Sequence, residues 1–564
     1  MKFYILSTFC TCLALVSYGQ VRNEVLVTIG ANTEVHVFEE ISNTGDFDIH
    51  PTATLHSRER FVQEGSSNQN LDGHVIVEDV LEVNNSSGMT VAPTGLVEVY
   101  TSLDMNSGHI TANAPIVMKS LPAWTAYMDD FSAGYTGTYS GNLTMERYIA
   151  TSGFHQMGGA VDVTNIASEL SEASLYGPNM GQVIPLPTCN PIAIDGTSPY
   201  GNMFQWDENA PFLFNCTQSG WFVRSTSAME NGRGYSLTKA GNTNFELTGP
   251  PHLSLSTYGP LGNTNSLGNG FHLVSNPYPS DIEWTGVTGF DAAIYIWQSS
   301  GSYAGTYQST FSFSGTRIAS QQAFFARRSA GSGNFSIALS DRRTGSATYF
   351  REAANEGLEI VVKGQGFADR TLINFDNLAS VAWDGELDAL KMEHQNGQPL
   401  LASNNGTDNY SVNTLNINHV DEIPLVFRSG NNGEYELDFT TLRTGFMLED
   451  KKLNYYGPLG ESYKFQHNTD DREDRFVIHL KSIDQLDEEP SIGIYATDNS
   501  MVVRGNLEGD GRLDLVDMTG RIVWSSSSFI NKGTNDFAKP NVARGLYILR
   551  LNLNNQMFEE RLLF

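Results

Sequence analysis

The feature that most constrains this chain is an echo near its start. Asp48–Leu55 (DIHPTATL) lines up with Thr90–Val97 (TVAPTGLV), and the matching prolines, Pro51 and Pro93, stand 42 residues apart. Short apolar strands and turns that recur in this way cannot bury a face alone, and each copy buries it against its neighbour. Residues 20–148 are therefore predicted as a repetitive β-region, either a β-solenoid of stacked coils or a repetitive sandwich. Ser140–Tyr148 reads as its closing strand.

At 564 residues the chain exceeds what one hydrophobic core serves, so several domains are expected. Lys2, the apolar run Phe3–Val16 and the small residues before Gln20 predict a signal peptide over 1–19. Cys10 follows Phe9 and Cys12 follows Thr11, settings that do not suit lipid attachment. No other stretch approaches the roughly 20 apolar residues of a membrane helix, so the mature chain is expected to lack a transmembrane segment. Beyond the leader, Cys189 and Cys216 remain. In an oxidising compartment they are expected to form one disulfide, with two buried thiols as the alternative.

The balance of 34 basic against 63 acidic residues, a net charge of −29, disfavours binding to phosphate backbones. Nucleic acid is therefore not an expected partner. The carboxylates make Ca²⁺ the one conceivable cofactor, and no other is implied.

Residues 149–351 form a Trp-rich section read as a β-domain, with one short helix predicted at Ile166–Glu172. Phe271–Trp284 reads as a strand stopped by Pro277 and Pro279, followed by strands at Ile294–Trp297, Ile318–Phe325 and Phe335–Leu339. Residues 352–487 are predicted as a β-sandwich-like domain with strands at Leu358–Val362, Tyr435–Phe439 and Arg475–Leu480. Asp487–Pro490 reads as a linker to the last section, 488–564.

Chemistry-bearing motifs are scarce. No nucleophile elbow, zinc-protease helix, phosphate loop or dinucleotide fingerprint is present. Paired acids such as Asp281 with Glu283, or Asp129 with Asp130, are the candidates for a glycosidase, and Trp206, Trp221, Trp284 and Trp297 could stack on sugars or fill the core. His155 reads as a core or turn histidine. Asp470, Asp471, Glu473 and Asp474 form an acidic run, and Asn506, Glu508, Asp510 and Asp517 follow EF-hand spacing. The residues around the latter alternate as a strand, so no metal ligand is assigned.

In the tail, Leu513, Leu515 and Ile522 alternate on either side of Asp517-Met518-Thr519-Gly520, which predicts a hairpin, and Gly545–Leu553 predicts a third strand. This order of hairpin, Ser-rich spacer and Gly-x-Tyr strand resembles the type A C-terminal sorting domain of the Bacteroidetes type IX secretion system. The resemblance implies an Ig-like β-sandwich recognised by the secretion machinery, with Asp517, Gly520, Gly545, Tyr547 and Arg561 at the matching positions. Arg561 stands where such tails usually carry lysines. Upstream, Ser140–Tyr148 and the NPYPS, IYIW and QAFF blocks resemble segments of uncharacterised flavobacterial surface proteins. The combined expectation is an all-β, multi-domain chain, secreted or held on the outer cell surface. Its expected role is adhesive or structural, and carbohydrate binding or glycoside hydrolysis is the alternative.

Overall fold

The computed structural model describes residues 14–17, 21–164, 166, 203–208, 221–263, 269–347, 357–480 and 492–563, with short breaks inside these ranges. Apart from one 3-10 turn at Leu339–Asp341, the described elements are all strands. The chain divides into two compact units, the first mostly residues 1–354 and the second mostly residues 355–564.

The first unit begins as a β-solenoid, and its repeat is one coil of about 20 residues, half the interval visible in the sequence. Each coil contributes a strand to each of three faces. One face stacks Glu34–Val37, Thr54–Ser57, His74–Val77 and Leu96–Val99 in parallel. A second stacks Asp46–Ile49, Gln69–Leu71 and Met89–Val91. The third stacks Ile41–Asn43, Phe61–Gly65, Val80–Asn85, Ser102–Ser107 and Tyr127–Asp129. The two echoing segments thus lie two coils apart, since Thr54–Ser57 and Leu96–Val99 both pair with His74–Val77.

Stacking in register turns a periodic sequence into columns. Val35, Leu55, Val75, Val97 and Ile116 form one inward column, and Ile41, Phe61, Leu81, Leu103 and Met128 form another, all buried. Full burial of each such side chain contributes about 1.5–3 kcal/mol. At one corner the column is polar: Asn23 Nδ2 donates to Asn43 Oδ1 at 2.7 Å, and Asn43 Nδ2 donates to Gln63 Oε1 at 2.6 Å. The amides pair with one another from coil to coil, which gives buried polar groups partners inside the solenoid.

Thr138–Ile149 closes the solenoid. It pairs in parallel with His109–Met118 and antiparallel with Thr243–Gly249, so one strand belongs both to the last coil and to the next section. The hydrophobic core accordingly runs without interruption from Ile29 to Leu247, past the domain boundary predicted at 148. The buried Glu146 and Arg147 fasten the junction. Glu146 accepts from Ser120 N at 3.1 Å and Asn244 Nδ2 at 2.7 Å, and Arg147 Nη2 donates to the Ser320 carbonyl at 2.5 Å.

The following section has its own core around Trp284, Phe324 and Phe335. The proline-rich turn after Phe271–Ser275 is buried and fully engaged: Asn276 Nδ2 reaches the carbonyls of Ser280, Ile318 and Ala319, and Tyr278 Oη donates to the Ile337 carbonyl at 2.7 Å. Two predicted strands differ. Ile318–Phe325 is interrupted at Gln321, whose φ is +61°, leaving Arg317–Ile318 and Ala323–Arg328 as separate strands. The strand predicted from Phe335 instead ends there, as Gly331–Phe335, ahead of the 3-10 turn. Except for Ile166, which is buried, the predicted helix lies outside the described residues.

In the second unit, one long sheet runs in the order Tyr455–Pro458, Phe446–Asp450, Phe476–Leu480, Glu422–Arg428, Leu400–Asn404, Asn409–Leu415, Phe367–Phe375, Leu358–Gly364, Gly433–Thr440 and Ser462–His467. It curls onto itself, because Phe427 in the fourth strand and Phe465 in the tenth have ring centroids 5.1 Å apart. The tail is a separate sandwich. Three strands (Ile492–Ala496, Ser500–Gly505, Gly533–Ala538) face four (Ile522–Ile530, Gly509–Asp517, Leu546–Leu553, Gln556–Leu563) across a core that includes Ile494, Met501, Val503, Leu513, Leu515, Leu549 and Leu551.

Candidate functional site

Strand alternation that sends Val35, Leu55 and Val75 inward sends their neighbours outward. The outward side of the first solenoid face is thereby lined by Glu34, His36, His56, His74, Glu78, Glu98 and Lys119, which couple successive coils. His56 Nε2 lies 2.8 Å from Glu78 Oε1 and His74 Nε2 lies 2.8 Å from Glu98 Oε2. Lys119 Nζ stands 3.2 Å from Glu98 and 2.5 Å from Glu146. Arg58 also pairs with Glu78, and its guanidinium lies over the Phe38 ring at 5.8 Å.

These contacts set the charge states. Burial, the largest influence on Glu98, pushes its pKa upward, but hydrogen bonds from His74 and Lys119 hold it below the usual carboxylate range. Burial also opposes the charge on Lys119, and Glu146 and Glu98 overcome it, raising that pKa. His56 is shifted down, first by burial and then by Arg58, which favours the neutral ring. The result is a mixed outer face on which His36, His56, His74, Glu98 and Lys119 are interspersed with Thr54, Ile76 and the exposed Leu96, with the exposed Phe38 and half-buried Tyr100 beside it.

The carboxylates considered for glycoside chemistry hold the fold together. Asp281 is buried and accepts from Ser320 N at 3.2 Å and from Ala347 N, with Arg317 at 3.4 Å; burial pushes its pKa upward. Glu283 pairs with Arg343 at 2.7 Å. Asp129 accepts from Phe131 N and Ser132 N, and Asp130 pairs at 2.6 Å with Arg342, which is buried and lies over the Phe131 ring at 4.4 Å. The tryptophans behave similarly. Trp284 is buried with Nε1 donating to Ala292 O at 2.8 Å, Trp206 donates to Phe271 O at 2.7 Å and Trp297 to Phe154 O at 2.9 Å. The Trp221 side chain lies outside the described residues. His155 is buried with Nε2 2.8 Å from the Thr151 carbonyl, a placement that burial accompanies with a lowered pKa.

Neither acidic cluster has the form of a calcium loop. Asp471 pairs with Lys452 at 2.7 Å and Asp474 with Arg472 at 2.7 Å. Gly509–Asp517 is one extended strand, so Asp510 and Asp517 are separated by about 23 Å at roughly 3.3 Å per residue, far beyond a shared cation.

The tail residues fall into three structural situations. Asp517 and Gly520 make the hairpin: Asp517 O accepts from Gly520 N at 2.9 Å, Asp517 N donates to Arg521 O at 2.9 Å, and Gly520 has φ +87°. The Asp517 carboxylate also accepts from the Thr519 hydroxyl and the Arg521 amide, which holds its pKa down at about 2. Tyr547 is buried and ties its hydroxyl to the Ala543 carbonyl at 2.9 Å, bracing the entry to the third strand. Gly545 and Arg561 meet no such demand. A Cβ at Gly545 would meet only the Tyr547 ring at 3.8 Å, and Arg561 is exposed on the edge strand. Cys189 and Cys216 lie outside the described residues.

The outer ladder matches no local motif, because its members come from successive coils. The signal was the 20-residue step from His36 to His56. No protein-family model, curated protein or solved structure matches this chain.

Proposed function

We propose that the chain is an exported protein, displayed on or shed from the outer cell surface, that works by adhesion or as a structural element and not through a catalytic centre. The observation that carries this reading is the outer face of the solenoid, where His, Glu and Lys side chains from successive coils bond to one another among Thr54, Ile76 and Leu96. The engagement of Asp129, Asp130, Asp281 and Glu283 in structural contacts points the same way. Residues 488–564 serve in this reading as the address read by the type IX secretion machinery, after a leader over 1–19 has directed the chain to the periplasm. Cys189 and Cys216 form a disulfide there.

Surface glycans are the ligands this ladder suits best, because hydroxyl-rich chains satisfy alternating donors and acceptors. The test is a glycan-array screen of the mature chain together with a reducing-sugar assay. Binding without sugar release, weakened by a His74→Ala/Glu98→Gln pair, supports the reading. Release of reducing sugar from a bound polysaccharide replaces it with a glycoside hydrolase.

A further inference from the structure

We propose that Glu34, His36 and His56 form a binding site for a late first-row transition-metal ion of the Zn²⁺, Ni²⁺ or Cu²⁺ class, which staples two neighbouring coils at the start of the solenoid. Glu34 and His36 are two residues apart on one strand and so share its outer side. His56 occupies the same register as His36 on the next strand. One ligand atom from each of the three lies within 4.8 Å of the others. The ring centroids of the two histidines are 5.0 Å apart, and His36 Nε2 is 2.9 Å from Glu34 Oε1. A tetrahedral ion with bonds of about 2.0–2.2 Å separates its ligands by about 3.3–3.6 Å, so side-chain rotation closes the site without moving the backbone.

Two further observations point to a ligand. His36 Nδ1 is shielded from solvent and has no hydrogen-bond partner, an unmet polar atom of the kind that an ion or ordered ligand accounts for. His56 is held by Glu78 at 2.8 Å through Nε2, the carboxylate–imidazole arrangement that fixes a tautomer and leaves the other nitrogen as a lone pair. The donor set is two imidazoles and one carboxylate. That composition suits Zn²⁺, Ni²⁺ or Cu²⁺ over Ca²⁺ or Mg²⁺, which take all-oxygen shells. Three protein ligands on an exposed face leave the remaining positions to water. Glu34–Val37 pairs on one side with Ala14–Ser17 and on the other with Thr54–Ser57; removal of the leader over 1–19 takes the first neighbour away, so the first coil of the mature chain gains from a bond to the second.

The experiment uses the mature, tag-free chain after chelator treatment, titrated calorimetrically with Zn²⁺. One equivalent bound, a tenfold or greater loss of affinity in His36→Gln and in His56→Gln, and no loss in His109→Ala, an exposed histidine elsewhere on the solenoid, are the results expected. Cu²⁺ added to the same protein gives an electron paramagnetic resonance spectrum with coupling to two nitrogens, a readout that stands even if a variant folds poorly. No saturable binding, equal loss in His109→Ala, or a Cu²⁺ spectrum without paired nitrogen coupling overturns the site.

Discussion

Lys119 Nζ and Glu146 Oε1 lie 2.5 Å apart and join the last coil of the solenoid to the strand that closes it. Glu146 is buried and also holds Ser120 N and Asn244 Nδ2, so a single carboxylate gathers the coil, the turn after it and the antiparallel neighbour. Replacing it with alanine strands the Ser120 amide and takes one of two acceptors from Lys119 and from Asn244 Nδ2. Removing one partner of a buried pair costs about 3–5 kcal/mol, and because Lys119 keeps Glu98, Glu146→Ala is expected to lose about 3 kcal/mol in a urea titration. A loss below about 1 kcal/mol would show that the junction is held by the apolar core alone.

The amide ladder makes a second prediction. Asn43→Leu leaves the amides of Asn23 and Gln63 without their shared partner at a buried corner. At about 1–3 kcal/mol for an unmet buried group such as Gln63 Oε1, the expected cost is about 1–3 kcal/mol. The loss should appear in hydrogen exchange as earlier opening of the coils around residues 21–65.

Stability of the second unit should depend on pH through Asp388. Burial, only partly offset by donors from Thr414 N and Asp384 N, raises its pKa from 3.8 to about 6. Between these values the folded chain holds a proton that the unfolded chain has released. Stability contributed by this group is therefore present below pH 3.8 and lost as pH rises to about 6, with no further change above. The full swing is about 3 kcal/mol. Denaturant midpoints of wild type and Asp388→Asn, measured from pH 4 to 7, should differ in slope, with the variant flatter.

The tail separates glycines kept for shape from those kept for something else. Gly520→Ala places a side chain at φ +87° and should destabilise the hairpin by about 1 kcal/mol. Gly545→Ala has room for its methyl group and should leave thermal stability unchanged. An export defect in Gly545→Ala despite normal stability would mark that position as one read by the secretion machinery.

How much of this was legible in the sequence depended on the range of the contacts involved. The Asp517–Gly520 hairpin was readable because its hydrogen bonds close within four residues. The solenoid was visible only as an echo at 42 residues. Inward positions such as Val35, Leu55 and Val75 require an apolar side chain but no particular one, and the intervening coil carries Asp72-Gly73 where its neighbours carry Pro-Thr turns. Asp281 looked like a free acid because the groups that hold it, Ser320 and Ala347, are far along the chain. The break at Gln321 was equally hidden, since a glutamine gives no local sign of a positive φ.

The central claim is that the last sandwich is a detachable export label, and deletion of residues 490–564 tests it most directly. In a bacterium equipped with the type IX machinery, the account predicts that the shortened chain folds and accumulates in the periplasm, while the full chain reaches the outside. Recovery of the shortened chain on the cell surface or in the medium, at the level of the full one, would contradict it.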